Sequence, residues 1–391
     1  MKRVHRQPQH YPITYLPITG PTVQIVDSQV PEPDDDQVLV KVVVAGSNPK
    51  DYKLPEMRDL ITNSGDDLAG IIEKVGANVF EFKLGDRVAA FHEITTGGGA
   101  YAEYSLAPQH TTFHIPKQTS FEGKATSFFD PAPLPFSFAH TSGTDNQMLA
   151  WRTEAAAIPL AAMTAVVGLY QHLALPQPWT LPPPNSQARE IPLVIYGASS
   201  SVGFYALQLA RRSNIHPILA IAGRATDYVK NLIDPAKGDV VVDYRDGEQA
   251  VLAALKKALE GRPPLRHALD AVSAGRSAKI IGRLFHEAGD GKTGKFSSVS
   301  PGSKEDVPEY VEQTMTFVGS VHRVPESKDL AYVYFRYIAR GLRDGWFRGQ
   351  RTEVVPGGLG GIQTGLENLK SGKASAVKYV YRIADTEGVS K

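Results

Sequence analysis

Short apolar runs broken by glycine turns fill the first third of the chain. Val38 to Val44 is a β-rich run behind the acidic turn Pro33-Asp34-Asp35-Asp36, and Asp67 to Val75 and Arg87 to Phe91 read as further short strands. Glycines at 65, 76, 85 and 97 to 99 separate these pieces. Short strands with closely spaced turns predict an all-β, barrel-like domain. The pattern changes after Ala155. Ala155 to Leu175 reads as one long helix and Pro176 to Pro184 as a proline-rich loop. Strand-like and helix-like stretches then alternate. Leu193 to Tyr196, Ile218 to Ile221, Val240 to Val242, Ala268 to Val272 and Phe296 to Val299 read as strands. Val202 to Arg212, Glu248 to Leu259 and Ala278 to Phe285 read as helices. Such alternation implies a parallel sheet covered by helices. The helix Asp329 to Leu342 is expected to close that unit. The glycine-rich stretch from Arg351 ends in a strand-like run, Ala376 to Ile383, expected to rejoin the first domain.

One segment fits neither pattern. Gly123 to Thr153 contains Phe128-Phe129, Pro131, Pro133, Pro135, Phe136 and Phe138, without helical or strand periodicity. A structureless stretch of this length inside a compact domain is uncommon. Its removal would join Ser120-Phe121-Glu122 to Glu154-Ala155, giving a continuous approach to the helix. Gly123-Lys124 has codons that can carry an intron-start sequence. The segment therefore reads as a retained intron, with a substrate-gating lid as the functional alternative.

Composition narrows the function. Lysine and arginine number 42 against 41 aspartates and glutamates in 391 residues, which argues against a nucleic-acid partner. The longest apolar stretch, Ala155 to Tyr170, is interrupted by Pro159, Thr164 and Gly168 and is too short for a membrane span. The basic start (Lys2, Arg3, Arg6) is not followed by an apolar core and does not read as a secretory signal. Cysteine is absent, which removes disulfides and thiolate zinc sites and fits a cytoplasmic chain. His110 and His114 lie in strand-like sequence, and His92-Glu93 lacks a second histidine, so no metal is expected.

The strongest local signal is Ile191-Pro-Leu-Val-Ile-Tyr-Gly-Ala-Ser-Ser-Ser-Val-Gly203, a buried strand, a small-residue turn and a helix start. Such a turn lets backbone N–H groups approach a pyrophosphate at the positive end of the helix. The three customary glycine positions fall on Ala198, Ser200 and Gly203, so two are small but not glycine. NAD enzymes place an acidic residue at the end of the second strand. Here that end reads Ala220-Ile-Ala-Gly-Arg224-Ala-Thr, and the first carboxylate is Asp227. Arg224 suits a 2′-phosphate, so NADPH is the expected cofactor. Tyr244, after the third strand, offers either a face for adenine or ordinary edge packing.

These features together resemble the medium-chain dehydrogenase/reductase superfamily. Ala45-Gly-Ser-Asn-Pro-Lys-Asp-Tyr-Lys53, Gly65-Asp-Asp-Leu-Ala-Gly70, Val75-Gly76, Gly85-Asp-Arg-Val88, Gly99-Ala-Tyr-Ala-Glu-Tyr104 and Ile158-Pro-Leu-Ala-Ala-Met-Thr-Ala165 resemble its zinc-free, quinone-reductase-like branch. The proline-rich loop, Pro356-Gly-Gly-Leu-Gly-Gly361 and Gly372-Lys-Ala-Ser-Ala-Val-Lys-Tyr-Val380 are most similar to fungal trans-acting enoyl reductases of polyketide synthesis. The resemblance covers nearly the whole chain except 123–153. It implies an α/β chain: a doubly wound parallel-sheet (Rossmann) nucleotide-binding domain at 161–344 and a GroES-like β-barrel domain at 1–160 and 345–391.

It also implies a site. Asn48, Lys50 and Asp51 belong to the loop that borders the nicotinamide in this family. Gly197, Ala198, Ser199, Ser200, Ser201, Val202 and Gly203 match the phosphate turn, and Ala222, Gly223, Arg224 and Ala225 the 2′-phosphate loop. Tyr244 matches an adenosine contact. Val299, Ala376 and Val377 match positions near the nicotinamide and substrate. The implied reaction passes a hydride from NADPH to an activated C=C bond, in an enoyl substrate that is a small molecule or carrier-bound to a polyketide synthase. Negative charge then develops on the carbonyl oxygen and calls for hydrogen-bond donors. Lys53, Tyr52 and Thr164 are the candidates, Lys53 first. Two alternatives stay open: a quinone or enone reductase of free small molecules, and a catalytically silent binding protein of the same fold.

Overall fold

The computed structural model describes residues 9–15, 22–58, 62–116, 155–180, 190–301 and 306–389. Residues 123–153, read from the sequence as foreign, lie outside the described residues, as does the end of the proline-rich loop. The chain divides into two compact units. One holds the chain up to Phe128, the run ending at Leu160, and Gly319–Lys391; the other holds Ala161–Val318.

The first unit is an antiparallel sheet folded around an apolar core. Strands β1 (Gln9–Tyr15) and β2 (Thr22–Ser28) pair as a hairpin beside it. The main sheet contains β3 (Gln37–Gly46), β4 (Asp67–Val75), β5 (Arg87–Phe91), β6 (Tyr104–Pro108) and β7 (Thr112–His114). β3 is central, pairing with β4 on one side and β6 on the other, and irregularities at Leu39/Val40 and Val42/Val44 bend it. That curvature lets Val38, Val40, Leu68, Ile72, Val88 and Tyr101 share one buried cluster.

The second unit contributes β8 (Leu193–Tyr196), β9 (Ile218–Ala222), β10 (Val240–Asp243), β11 (His267–Asp270), β12 (Gly294–Ser298) and β13 (Val311–Met315). Every pairing among them is parallel. β8 and β9 are rich in β-branched residues and leucine because helices cover both faces. The helices Ser201–Arg212, Glu248–Leu259 and Ser277–Ala288 supply that cover. Returning to the first unit, β14 (Thr352–Val354) pairs with β15 (Lys378–Arg382), and β15 pairs antiparallel with β3.

Two elements differ from the sequence expectation. The stretch expected as one helix from Ala155 is three pieces: a 3₁₀ turn Ala155–Ala157, an α-helix Pro159–Val166 and a π-helix Val167–His172. Pro159 stands at the first helical position, where a missing N–H costs nothing, so the α-helix begins there. In the wide turn that follows, Tyr170 Oη donates to Leu209 O at 3.1 Å, and His172 Nδ1 lies 3.0 Å from Thr316 Oγ1. Apolar composition cannot distinguish α from π winding. The second difference is the helix expected to close the nucleotide-binding unit. It runs Pro325–Asp344 and belongs to the first unit. Phe335 stacks on Phe113 with ring centroids 5.2 Å apart, and Arg336 holds Glu81 at 2.5 Å and the Gln109 carbonyl at 3.1 Å. Periodicity shows which face of a helix is apolar; it does not show which sheet receives that face.

Candidate active site

In the second unit the strands stand in the order β10-β9-β8-β11-β12-β13. Numbered by appearance within this sheet, that is 3-2-1-4-5-6, the doubly wound order whose switch point lies between β8 and β11. Parallel strands bring all their carboxyl ends to one edge, so the loops leaving β8, β9, β10 and β11 converge there.

The loop leaving β8 explains its own departures from three glycines. Gly197 has φ +76°, and a Cβ there would overlap the Val272 side chain. Gly197 N and Ala198 N both donate to Ile221 O at 2.9 Å, which pins the turn to β9. Ala198 is buried without conflict. Ser200 caps the following helix: its Oγ accepts from Gly203 N at 3.1 Å. Of the three customary glycine positions, Gly203 is the one without space, because a Cβ there would meet Ala198 Cα at 2.7 Å. Ser200→Ala should therefore lower stability by about 1 kcal/mol, whereas Ser200→Gly should cost only a few tenths. Urea unfolding of the two variants measures the difference, and equal losses would remove the capping role.

Ala222 and Gly223 are buried and Arg224 is exposed at the end of β9. The Tyr244 ring lies over Gly223, so any side chain there would collide with it. Tyr244 is 48% exposed and its ring stacks against Tyr196 with centroids 6.4 Å apart. The carboxylate in this region is Asp243, one strand further on. It is gripped by Arg245, with Nε to Oδ1 at 2.9 Å and a guanidinium N to Oδ2 at 2.5 Å. Those hydrogen bonds bring the Asp243 pKa down to about 2. Asp227 pairs with Lys230 at 2.8 Å. No carboxylate stands at the end of β9 itself.

Sequence reasoning missed the lock between β11 and β12. Asp270, 1% exposed, accepts from Val272 N at 3.1 Å and Ser273 N at 2.7 Å. Ser273 adopts φ +52°, and its Oγ accepts from Val299 N at 2.9 Å. Val299, a predicted site residue, is thus held by a strained neighbour, and strain of this kind collects at functional sites. The signal was an aspartate inside the apolar run Ala268 to Val272, two residues before Val272 and three before Ser273, the spacing of an Asx turn.

In the first unit the predicted loop separates into committed and uncommitted residues. Asn48 Nδ2 donates to Asp67 Oδ2 at 2.8 Å, and its Oδ1 accepts from Lys378 Nζ at 3.0 Å. Lys378 also pairs with Asp67, whose other oxygen accepts Leu160 N at 2.6 Å. Asp51 is fully buried and accepts Asn48 N at 2.8 Å and the Tyr101 hydroxyl at 2.6 Å. The Asn48 and Asp51 side chains therefore brace the loop from inside.

Beyond them the helix Lys50–Arg58 carries Tyr52, half-buried against the barrel core, and Lys53, exposed. Burial and then Glu56 push the Tyr52 phenol up. Ala376 precedes β15 in the left-handed region, at φ +52° and 8% exposed, and Val377 is half-buried. Thr164 is 5% exposed on the helix Pro159–Val166. Among the described residues no group of three or more histidines and carboxylates is arranged to hold a metal ion, and no helix is long and apolar enough to cross a membrane.

Residues 34–117 match the alcohol dehydrogenase GroES-like domain. The trans-enoyl reductase fsr4 of Gibberella fujikuroi is 42% identical over 341 residues, covering 86% of this chain and 89% of that protein. The chain belongs to the trans-enoyl reductase family. It is an oxidoreductase of the enoyl-reductase type within the medium-chain dehydrogenase/reductase superfamily. A second relative, the trans-enoyl reductase resD of Aspergillus sclerotiorum, is 28% identical over 393 residues, covering 93% of this chain and 98% of its own length. The solved structure of the CurK enoyl reductase superposes with a TM-score of 0.67 at 16% identity, covering 96% of this chain and 99% of that one. At that identity the likeness speaks for the fold of the reductase alone. That fold joins a GroES-like barrel to a Rossmann sheet.

Proposed function

We propose that this reductase uses NADPH, without zinc, to reduce the activated C=C bond of an enoyl thioester carried by a polyketide synthase in the cytosol. The observation that carries the cofactor choice is the end of β9, Ala222-Gly223-Arg224, where no carboxylate stands and an arginine does. The fit extends along the sheet edge. Gly203 keeps the helix start against the phosphate turn, and the Tyr244 ring packs over the backbone at Gly223. Ser199, Val202 and the turn backbone would hold the pyrophosphate, Arg224 and Ala225 the 2′-phosphate, and Tyr244 the adenine. Val299, Ala376 and Val377 would line the nicotinamide end.

NADPH, when bound, supplies the hydride for the β-carbon. The chain's own task is to stabilise the charge that develops on the thioester oxygen. Lys53 is the donor of first choice, because its ammonium is exposed while its neighbours Asn48 and Asp51 are taken by internal bonds. Tyr52 and Thr164 follow. Similarity to trans-enoyl reductases supports a carrier-bound substrate.

The test is NADPH oxidation by the purified chain with a crotonyl-type thioester and with simple quinones. Turnover of the thioester at a kcat/KM well above that of any quinone is the expected result. The reverse preference would make it a quinone reductase, and failure to bind NADPH would make it a silent member of the fold.

A further inference from the structure

Lys50 occupies the middle of Asn48-Pro49-Lys50-Asp51, and the motif match assigns it to the cofactor. Its surroundings assign it elsewhere. Lys50 Nζ donates to Ser64 O at 2.5 Å and forms ion pairs with Asp51 Oδ1 at 2.8 Å and with Asp66 Oδ2. The ammonium thus sits between two carboxylates and one carbonyl oxygen. The lysine side chain is 17% exposed, and the two carboxylates are 0% and 1% exposed.

The carboxylates come from different elements. Asp51 lies at the start of the helix Lys50–Arg58, and Asp66 is the residue before β4. Each is also anchored away from Lys50. Asp51 Oδ2 takes Asn48 N and the Tyr101 hydroxyl, whereas Asp66 Oδ1 faces His92 Nδ1 at 2.8 Å. His92 Nε2 in turn lies 2.9 Å from Gly97 O. Burial disfavours both the ammonium and the carboxylates. Yet Asp51 and Asp66 hold the Lys50 pKa above its ordinary value, and Lys50 with His92 holds that of Asp66 below its own. Without the lysine, two buried like charges would face each other across the junction of helix and sheet, which is strongly unfavourable.

We infer that Lys50 is a positioning residue, a half-buried cation that rivets Asp51 to Asp66 and so fixes the helix carrying Tyr52 and Lys53. This rests on the reading that Lys53 acts on the substrate, but the rivet itself can be measured without turnover. Three full-length proteins are compared: the parent, Lys50→Met and Lys50→Met/Asp66→Asn. Hydrogen exchange of residues 47–58, the NADPH dissociation constant, and kcat and KM across pH are the readouts.

Lys50→Met should speed exchange in 47–58 and lower kcat, each by about tenfold or more, since small misplacements of reacting groups carry such penalties. NADPH affinity should change by less than about threefold, because no cofactor contact is lost. Its kcat should recover as pH falls and one of the two carboxylates takes up a proton. Asp66→Asn in the same chain removes the repulsion, so it should restore slow exchange and abolish that recovery with acid. If Lys50→Met does not fold, the double variant should; failure of both to fold would overturn the repulsion argument. Unchanged exchange together with tenfold or more weaker NADPH binding would return Lys50 to the cofactor site. Altered exchange in a chain whose parent reduces no enoyl thioester would keep the rivet and reject the functional reading.

Discussion

Lys53→Ala should lower the turnover of an enoyl thioester by about a hundredfold or more, while NADPH affinity changes little. Hydride addition to the β-carbon leaves an enolate, and a donor fixed near its oxygen stabilises the transition state more than the ground state. Removing one such donor typically costs about 3 kcal/mol of barrier. Within Asn48–Lys53 the structure leaves few groups to do this. Asn48 is spent on Asp67 and Lys378, Lys50 on Asp51 and Asp66, and Asp51 on Asn48 N and Tyr101. Lys53 is exposed, and its ammonium lies on the same short helix those bonds immobilise. Steady-state kinetics at saturating NADPH check the prediction. A loss in kcat with the dissociation constant of NADPH retained supports the donor role, and Lys53→Arg should keep part of the activity. Turnover that survives Lys53→Ala would pass the role to Tyr52 or Thr164.

The sequence made the nucleotide-binding sheet legible because its signals are local. A four-residue apolar strand, a small-residue turn and an amphipathic helix lie within Leu193 to Arg212, and the same grammar repeats along the unit. What it left unread depends on partners distant in the chain. Nothing in the sequence around Lys50 reveals that Ser64 O accepts from its ammonium or that Asp66 pairs with it. Asp67 and Lys378 are 311 positions apart, and their pairing follows from β15 joining β3. The helix Pro325–Asp344 illustrates the same limit, since its apolar face suits either unit until Phe335 meets Phe113. The turn after β8 shows the converse. Ala198 and Ser200 look like damage to a three-glycine fingerprint, but of its three positions Gly203 is the one where a Cβ cannot fit, and Ser200 turns its hydroxyl into a helix cap.

Arg224→Asp should reverse the cofactor preference, weakening NADPH by about a hundredfold relative to NADH. An arginine–phosphate contact is a charge-assisted, often bidentate hydrogen bond, and loss of one such contact costs about 1.5–3 kcal/mol. The introduced carboxylate would add repulsion against a 2′-phosphate and a partner for the 2′-hydroxyl that replaces it in NADH. The surroundings favour a clean readout. Arg224 is exposed, so its replacement disturbs no core, and the buried Gly223 beneath the Tyr244 ring keeps the loop's path. Asp243 cannot substitute for the missing ribose carboxylate in the parent chain, because Arg245 holds both of its oxygens. Fluorescence titration with each reduced cofactor measures the effect without any substrate, so the result stands whichever acceptor the enzyme reduces. Arg224→Asp should also make NADPH binding less sensitive to salt, since the screened attraction is gone. An equal loss for NADPH and NADH would mean that the 2′-phosphate is read by other residues, and the end of β9 would no longer decide the cofactor.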